Sequence, residues 1–153
     1  MLRWSRPATA RASLRKASRN AGRWNAVAST SINALYGTQN SSTLSCTGNF
    51  DYLSNTVVFN DPCNDITNLS GCSGTLAMGG VGASGTHSFD GTTWYTISTW
   101  YVVVNNGSGC LGSADYELML THELGHGLGF GHVADSSARM FAFCCNDHNA
   151  LAI

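Results

Sequence analysis

The chain has 153 residues, 43% hydrophobic and only 11% charged, with 17 glycines; this suits one globular domain and excludes a charge-rich disordered chain. Its net charge of −1 hides an asymmetry, since seven of eight basic residues lie in 1–23 and, from Trp24 onward, Arg139 alone opposes nine acidic residues, a net −8. The positive charges are dispersed and carry no recognition motif, which argues against a nucleic-acid partner, and no apolar run of about 18 residues exists to span a membrane.

Residues 1–23 hold Arg3, Arg6, Arg11, Arg15, Lys16, Arg19 and Arg23, several serines and no acid. That composition matches a mitochondrial transit peptide and lacks the apolar core of a secretory signal. With few apolar side chains to bury, this segment is expected to be a disordered leader, and the folded domain to run over 24–153. From Arg23 to Tyr36, the apolar residues Trp24, Val27, Ala28, Ile32, Leu35 and Tyr36 recur at helical spacing and Gly37 ends the pattern, predicting an N-terminal helix packed into the core. Residues 38–55 read mostly as loop.

T-V-V-F-N at 56–60 predicts a short buried strand closed by Asp61-Pro62. A second strand is expected around Thr75 to Met78, ahead of the glycine-rich G-G-V-G-A-S-G. A third covers Thr92 to Trp100 and a fourth Trp100 to Val104, bounded by Asn-Asn-Gly. Ser113 or Asp115 is expected to cap the helix that follows, with Asp115 and Glu117 acidic in its first turn, where they favour the helix dipole. Leu118, Leu120, Leu124 and Leu128 would anchor that helix in the core.

Six cysteines in so short a chain predict disulfides and an oxidising compartment. They favour a secreted or extracellular location, with the mitochondrial leader as the rival reading. Cys63 and Cys72 bracket a short polar loop and are expected to pair. The adjacent Cys144 and Cys145 are expected to reach different partners, with Cys46 and Cys110 the candidates. No C-x-x-C occurs, which argues against a second metal site built from thiolates.

Thr121 to His132 reads T-H-E-L-G-H-G-L-G-F-G-H and holds three of the five histidines. Residues four apart share one helix face, so His122 and His126 can aim two imidazoles at one ion. Glu123 lies about 100° around the helix from His122, beside the ion without ligating it, where a general base belongs. On a continued helix His132 would lie about 15 Å along the axis from His122, whereas zinc ligands all sit about 2.1 Å from the metal. The chain must therefore turn back, and Gly127, Gly129 and Gly131 supply the turn. Gly129 is the residue expected to end the helix in a left-handed conformation. Three neutral imidazoles leave zinc an open position, the mark of a catalytic rather than a structural site.

H-E-L-G-H-G-L-G-F-G-H resembles the long zinc signature of the metzincin endopeptidases. The resemblance implies that His122, His126 and His132 bind one catalytic zinc and that Glu123 is the catalytic base. It also implies that Met140, eight residues after His132, is the methionine of a tight turn beneath the metal. Some metzincins carry a tyrosine two residues after that methionine; Ala142 stands here, so the site is more similar to that of matrixins and reprolysins. G-T-L-A and the later T-H-S-F-D-G-T-T-W distantly resemble the matrixin segment that holds structural zinc and calcium and forms the substrate-binding edge strand. His87 and Asp90 match it and the other structural-zinc histidines do not, leaving structural calcium or a second zinc open. On their own, His87 and His148 read as loop histidines.

The fold so implied is α+β: a metzincin-like domain with a twisted mixed sheet, an N-terminal helix and an active-site helix. Only 13 residues follow Met140, where the family pattern continues into a C-terminal helix that Asp147 to Leu151 would begin, so the chain is expected to be truncated at its C-terminus. The function implied is hydrolysis of internal peptide bonds in a protein or peptide substrate by a monomer. The rival reading is a non-catalytic zinc-binding secreted module, or an inactive fragment of such a peptidase.

Overall fold

The β-branched and aromatic residues of 56–59 and 92–104 form neighbouring parallel strands, as their composition predicts. The computed structural model describes residues 44–46, 50 and 54–144 and the backbone of 149–150. The expected leader, the N-terminal helix of Arg23 to Tyr36, and His148 lie outside the described residues. In chain order the elements are β1 (Thr56–Phe59), β2 (Ala77–Phe89), β3 (Thr92–Val104), a 3-10 turn (Ser108–Cys110), α1 (Ser113–Gly127), β4 (Phe143–Cys144) and β5 (Asn149–Ala150). The main sheet has the order β1-β3-β2, with β1 parallel and β2 antiparallel to the central β3. The architecture is α+β, with a mixed sheet packed against the single described helix.

Alternation along β3 divides the core. Val102 and Val104 face α1, packing with Leu76, Ala77, Met119 and Leu120, while Val103 turns to the opposite face beside Val58 and Ile66. Full burial of each such side chain contributes about 1.5–3 kcal/mol. Polar ties then fix where α1 begins. Asn105 Nδ2 donates to the carbonyls of Thr67 and Thr75, both at 2.8 Å, and Ser108 Oγ donates to Leu76 O at 2.7 Å.

Four expected strands prove to be three. The strand expected at Thr75 to Met78 begins at Ala77 and runs on through the glycine-rich segment to Phe89, and the third and fourth are one strand, Thr92–Val104. Asp90 and Gly91, with φ of 50° and 71°, make the two-residue turn between them. The glycines do not break β2 because β3 covers them: a Cβ at Gly80 would lie 2.6 Å from the Tyr101 hydroxyl, and Thr99 Oγ1 occupies the space above Gly82. Irregular register between Gly82 and Thr86 accompanies Gly85 at φ 69°. The outer half of this hairpin projects into solvent, and its inner half carries the packing.

Three further expectations are corrected. Neither Ser113 nor Asp115 caps α1: Gly112 occupies the cap position with extended backbone, so Ser113 is already helical, and Asp115 is the acidic residue of the first turn. Asn149 and Ala150 form β5 paired with β4 rather than starting a helix. Two disulfides among the described residues are Cys46–Cys63 and Cys72–Cys110, with Cα separations of 5.5 and 5.9 Å, so Cys63 and Cys72 do not pair with each other. The segment between Cys63 and Cys72 is wound into two separate turns. The first wraps the buried Asp61 carboxylate, which accepts the Asp65 and Ile66 N–H groups, and the second closes through Ser70 and Ser73. Each cysteine therefore faces a different neighbour. Cys46 and Cys110 are thereby engaged, so neither bonds Cys144, which is itself disulfide-bonded. Loops of 17 and 38 residues correspond to about 3 and about 4 kcal/mol of stabilisation if unfolded-chain entropy dominates.

Candidate metal centre

Helix α1 carries His122, Glu123 and His126 on a face buried against the sheet, alongside Met119 and Leu120. The helix stops because Gly129 takes φ 89°. Its N–H donates to His126 O at 2.8 Å while the Phe130 N–H reaches back to Gly125 O at 3.0 Å, the paired bonds of a Schellman ending. This is the left-handed glycine that the His126-to-His132 spacing requires, and it returns the chain so that His132 meets the other two histidines. Beyond His132, the Val133 N–H donates to Met140 O at 3.0 Å, folding the Met140 turn back alongside.

The three Nε2 atoms form a triangle with sides of 2.9, 3.0 and 3.2 Å. A tetrahedral ion with bonds near 2.1 Å has an edge of about 3.4 Å, so the imidazoles fit one such cation. Their tautomers support this. His122 Nδ1–H donates to Arg139 O at 2.8 Å and His126 Nδ1–H donates to Phe130 O at 2.7 Å; a carbonyl can only accept, so the Nδ1 atoms hold the protons. Both Nε2 atoms are then bare lone pairs facing each other, an arrangement that a shared cation resolves. Burial pushes His122 down to about 4 and also lowers His126 and His132, keeping all three imidazoles in the neutral form a metal needs. Among the described residues this is the one group of three or more potential ligands within reach of one another.

Glu123 is fully buried, and neither carboxyl oxygen has a hydrogen-bond partner among the described residues. Burial raises its pKa well above the ordinary carboxylate value; the nearby Gly79 amide tempers the rise without reaching hydrogen-bond geometry. Gly79 matters for another reason. A Cβ there would collide with the Glu123 carbonyl oxygen and lie 3.0 Å from Oε2, so β2 and α1 approach this closely only because residue 79 has no side chain. Gly79→Ala should therefore lower stability by about 1–3 kcal/mol through overpacking, measured as a shift in the denaturant midpoint. An unchanged midpoint would show that the strand yields easily.

The convergence of the three histidines follows from their spacing, whereas Gly79 and the two orienting carbonyls do not. The G-G-V-G run did carry a signal for Gly79, since glycine inside a strand marks close backbone approach. Nothing local announces that Arg139 O would hold His122. Met140 is buried within the turn that supplies that carbonyl. His87 lies in β2, not a loop, exposed and 3.1 Å through Nδ1 from Thr96 Oγ1, while Asp90 sits at the hairpin tip.

A family model described as matrixin matches residues 11–152. No curated protein and no solved structure matches the chain.

Proposed function

The chain belongs to the matrixin family, whose members are zinc metalloendopeptidases, and from that footing we propose that it hydrolyses internal peptide bonds of a protein substrate. The observation that carries the proposal is the convergence of three neutral Nε2 atoms beside a buried carboxyl group that has no hydrogen-bond partner among the described residues. His122, His126 and His132 would hold the zinc. Bound there, zinc supplies Lewis acidity, which polarises a carbonyl group and acidifies water.

The remaining work falls to residues of the chain. The carbonyls of Arg139 and Phe130 keep the imidazoles of His122 and His126 in one tautomer and one orientation. Glu123, in its ionised form, takes a proton from the attacking water and delivers it to the departing amine. Among the described residues β2 is an edge strand of the sheet, it passes this carboxyl at Gly79, and an extended substrate would add alongside it as a further strand. The disulfides and the family's typical location favour a secreted protein.

The test is to incubate the full chain, loaded with zinc, with an unfolded protein such as casein and to sequence the products by mass spectrometry. Internal fragments that disappear on chelation and return with added zinc are expected. Intact casein, or trimming confined to its ends, would refute the proposal.

A further inference from the structure

Arg139 is the single basic residue from Trp24 to Ile153. It is exposed, and its guanidinium has no carboxylate in salt-bridge reach among the described residues. The nearest acid in sequence on the same loop, Asp135, is occupied by Ser137, whose N–H and Oγ donate to it at 2.8 and 2.7 Å. Those bonds hold the Asp135 carboxyl below its ordinary range. Arg139 also lines a cavity of about 210 Å³ together with Leu118, Ser136, Phe141 and Phe143. Its backbone carbonyl accepts from His122 Nδ1, so one residue touches both the cavity and an imidazole of the candidate metal centre.

We propose that Arg139 selects substrates bearing an acidic side chain, placing a Glu or Asp of the substrate in the cavity beside the metal centre. This rests on the peptidase reading above and names the substrate class of that site. The rest of residues 24–153 carries nine acidic residues and no second Lys or Arg, so within that stretch Arg139 is the one cationic side chain of fixed charge that an acidic substrate side chain can meet. A guanidinium offers a planar fork of donors to a carboxylate, and the phenyl rings of Phe141 and Phe143 take the methylenes of the incoming side chain. Lys-bearing substrates meet like charge there and are rejected.

The test uses the zinc-loaded full chain and fluorescence-quenched peptides that carry Glu, Gln or Lys at each position flanking the scissile bond. At one position Glu should exceed Gln by about tenfold in kcat/KM, and Lys should be cleaved least. Arg139→Lys should keep the preference, Arg139→Gln should level it and Arg139→Glu should invert it towards the Lys peptide. An inversion within one variant cannot arise from partial misfolding, because both peptides meet the same enzyme. Cleavage without acid preference, or a preference unchanged in Arg139→Glu, would overturn the proposal. Binding of the same peptides to Glu123→Ala, followed by fluorescence anisotropy, reads Arg139 without turnover: acid-selective binding with no cleavage by the parent would refute the peptidase reading alone, and binding indifferent to charge would refute the role of Arg139.

Discussion

Replacing Glu123 by alanine is expected to lower kcat/KM roughly 10²- to 10⁴-fold while zinc stays bound, the range that removal of a general base produces. The separation follows from geometry. Zinc affinity would reside in three imidazoles whose Nε2 atoms meet without Glu123, and the two that donate Nδ1–H do so to backbone carbonyls of other residues. The carboxyl has no partner that its loss would leave unpaired among the described residues. The same substitution should leave thermal stability unchanged or raise it, because a buried, unpaired polar group opposes folding. A site that keeps a destabilising group for its chemistry trades stability for activity. Peptide hydrolysis at the parent rate would remove Glu123 from the mechanism, and loss of zinc would make it a ligand.

Zinc removal is the second large effect. With His122 and His126 fixed as Nδ1–H tautomers, their Nε2 lone pairs face each other at 2.9 Å, and only a proton or a cation relieves the repulsion. Free zinc at a hundredfold excess over its dissociation constant should stabilise the fold by about 2.7 kcal/mol, so chelation should lower the melting temperature by several degrees. In His126→Ala the zinc-dependent rise should vanish, since two imidazoles no longer define a closed set. A melting temperature in the parent that is the same with and without zinc would contradict this account.

The convergence of His122, His126 and His132 was legible in the sequence because its geometry is local. Histidines four apart share a helix face, and a third ten residues on can reach them only through a turn, which Gly129 makes at φ 89°. The hairpin was legible in principle, since Asp90-Gly91 between β-rich segments signals a two-residue turn, but the glycine content of β2 outweighed it. What let glycines sit in a strand was cover from Tyr101 and Thr99 across the pairing, which only register reveals. Disulfide pairing was not legible for the same reason: Cys72 meets Cys110 through the placement of the 3-10 turn, 38 residues away. Backbone carbonyls leave no trace in residue identity, so Arg139 O and Phe130 O as orienters of the imidazoles came from the fold alone.

The most direct measurement is zinc content per chain by elemental mass spectrometry, on the purified parent and on His126→Ala after equilibration with limiting zinc and gel filtration. One equivalent in the parent and close to none in the variant is the expected result. Stoichiometric zinc retained by His126→Ala, or none in the parent, would contradict the assignment of His122, His126 and His132 as the metal site.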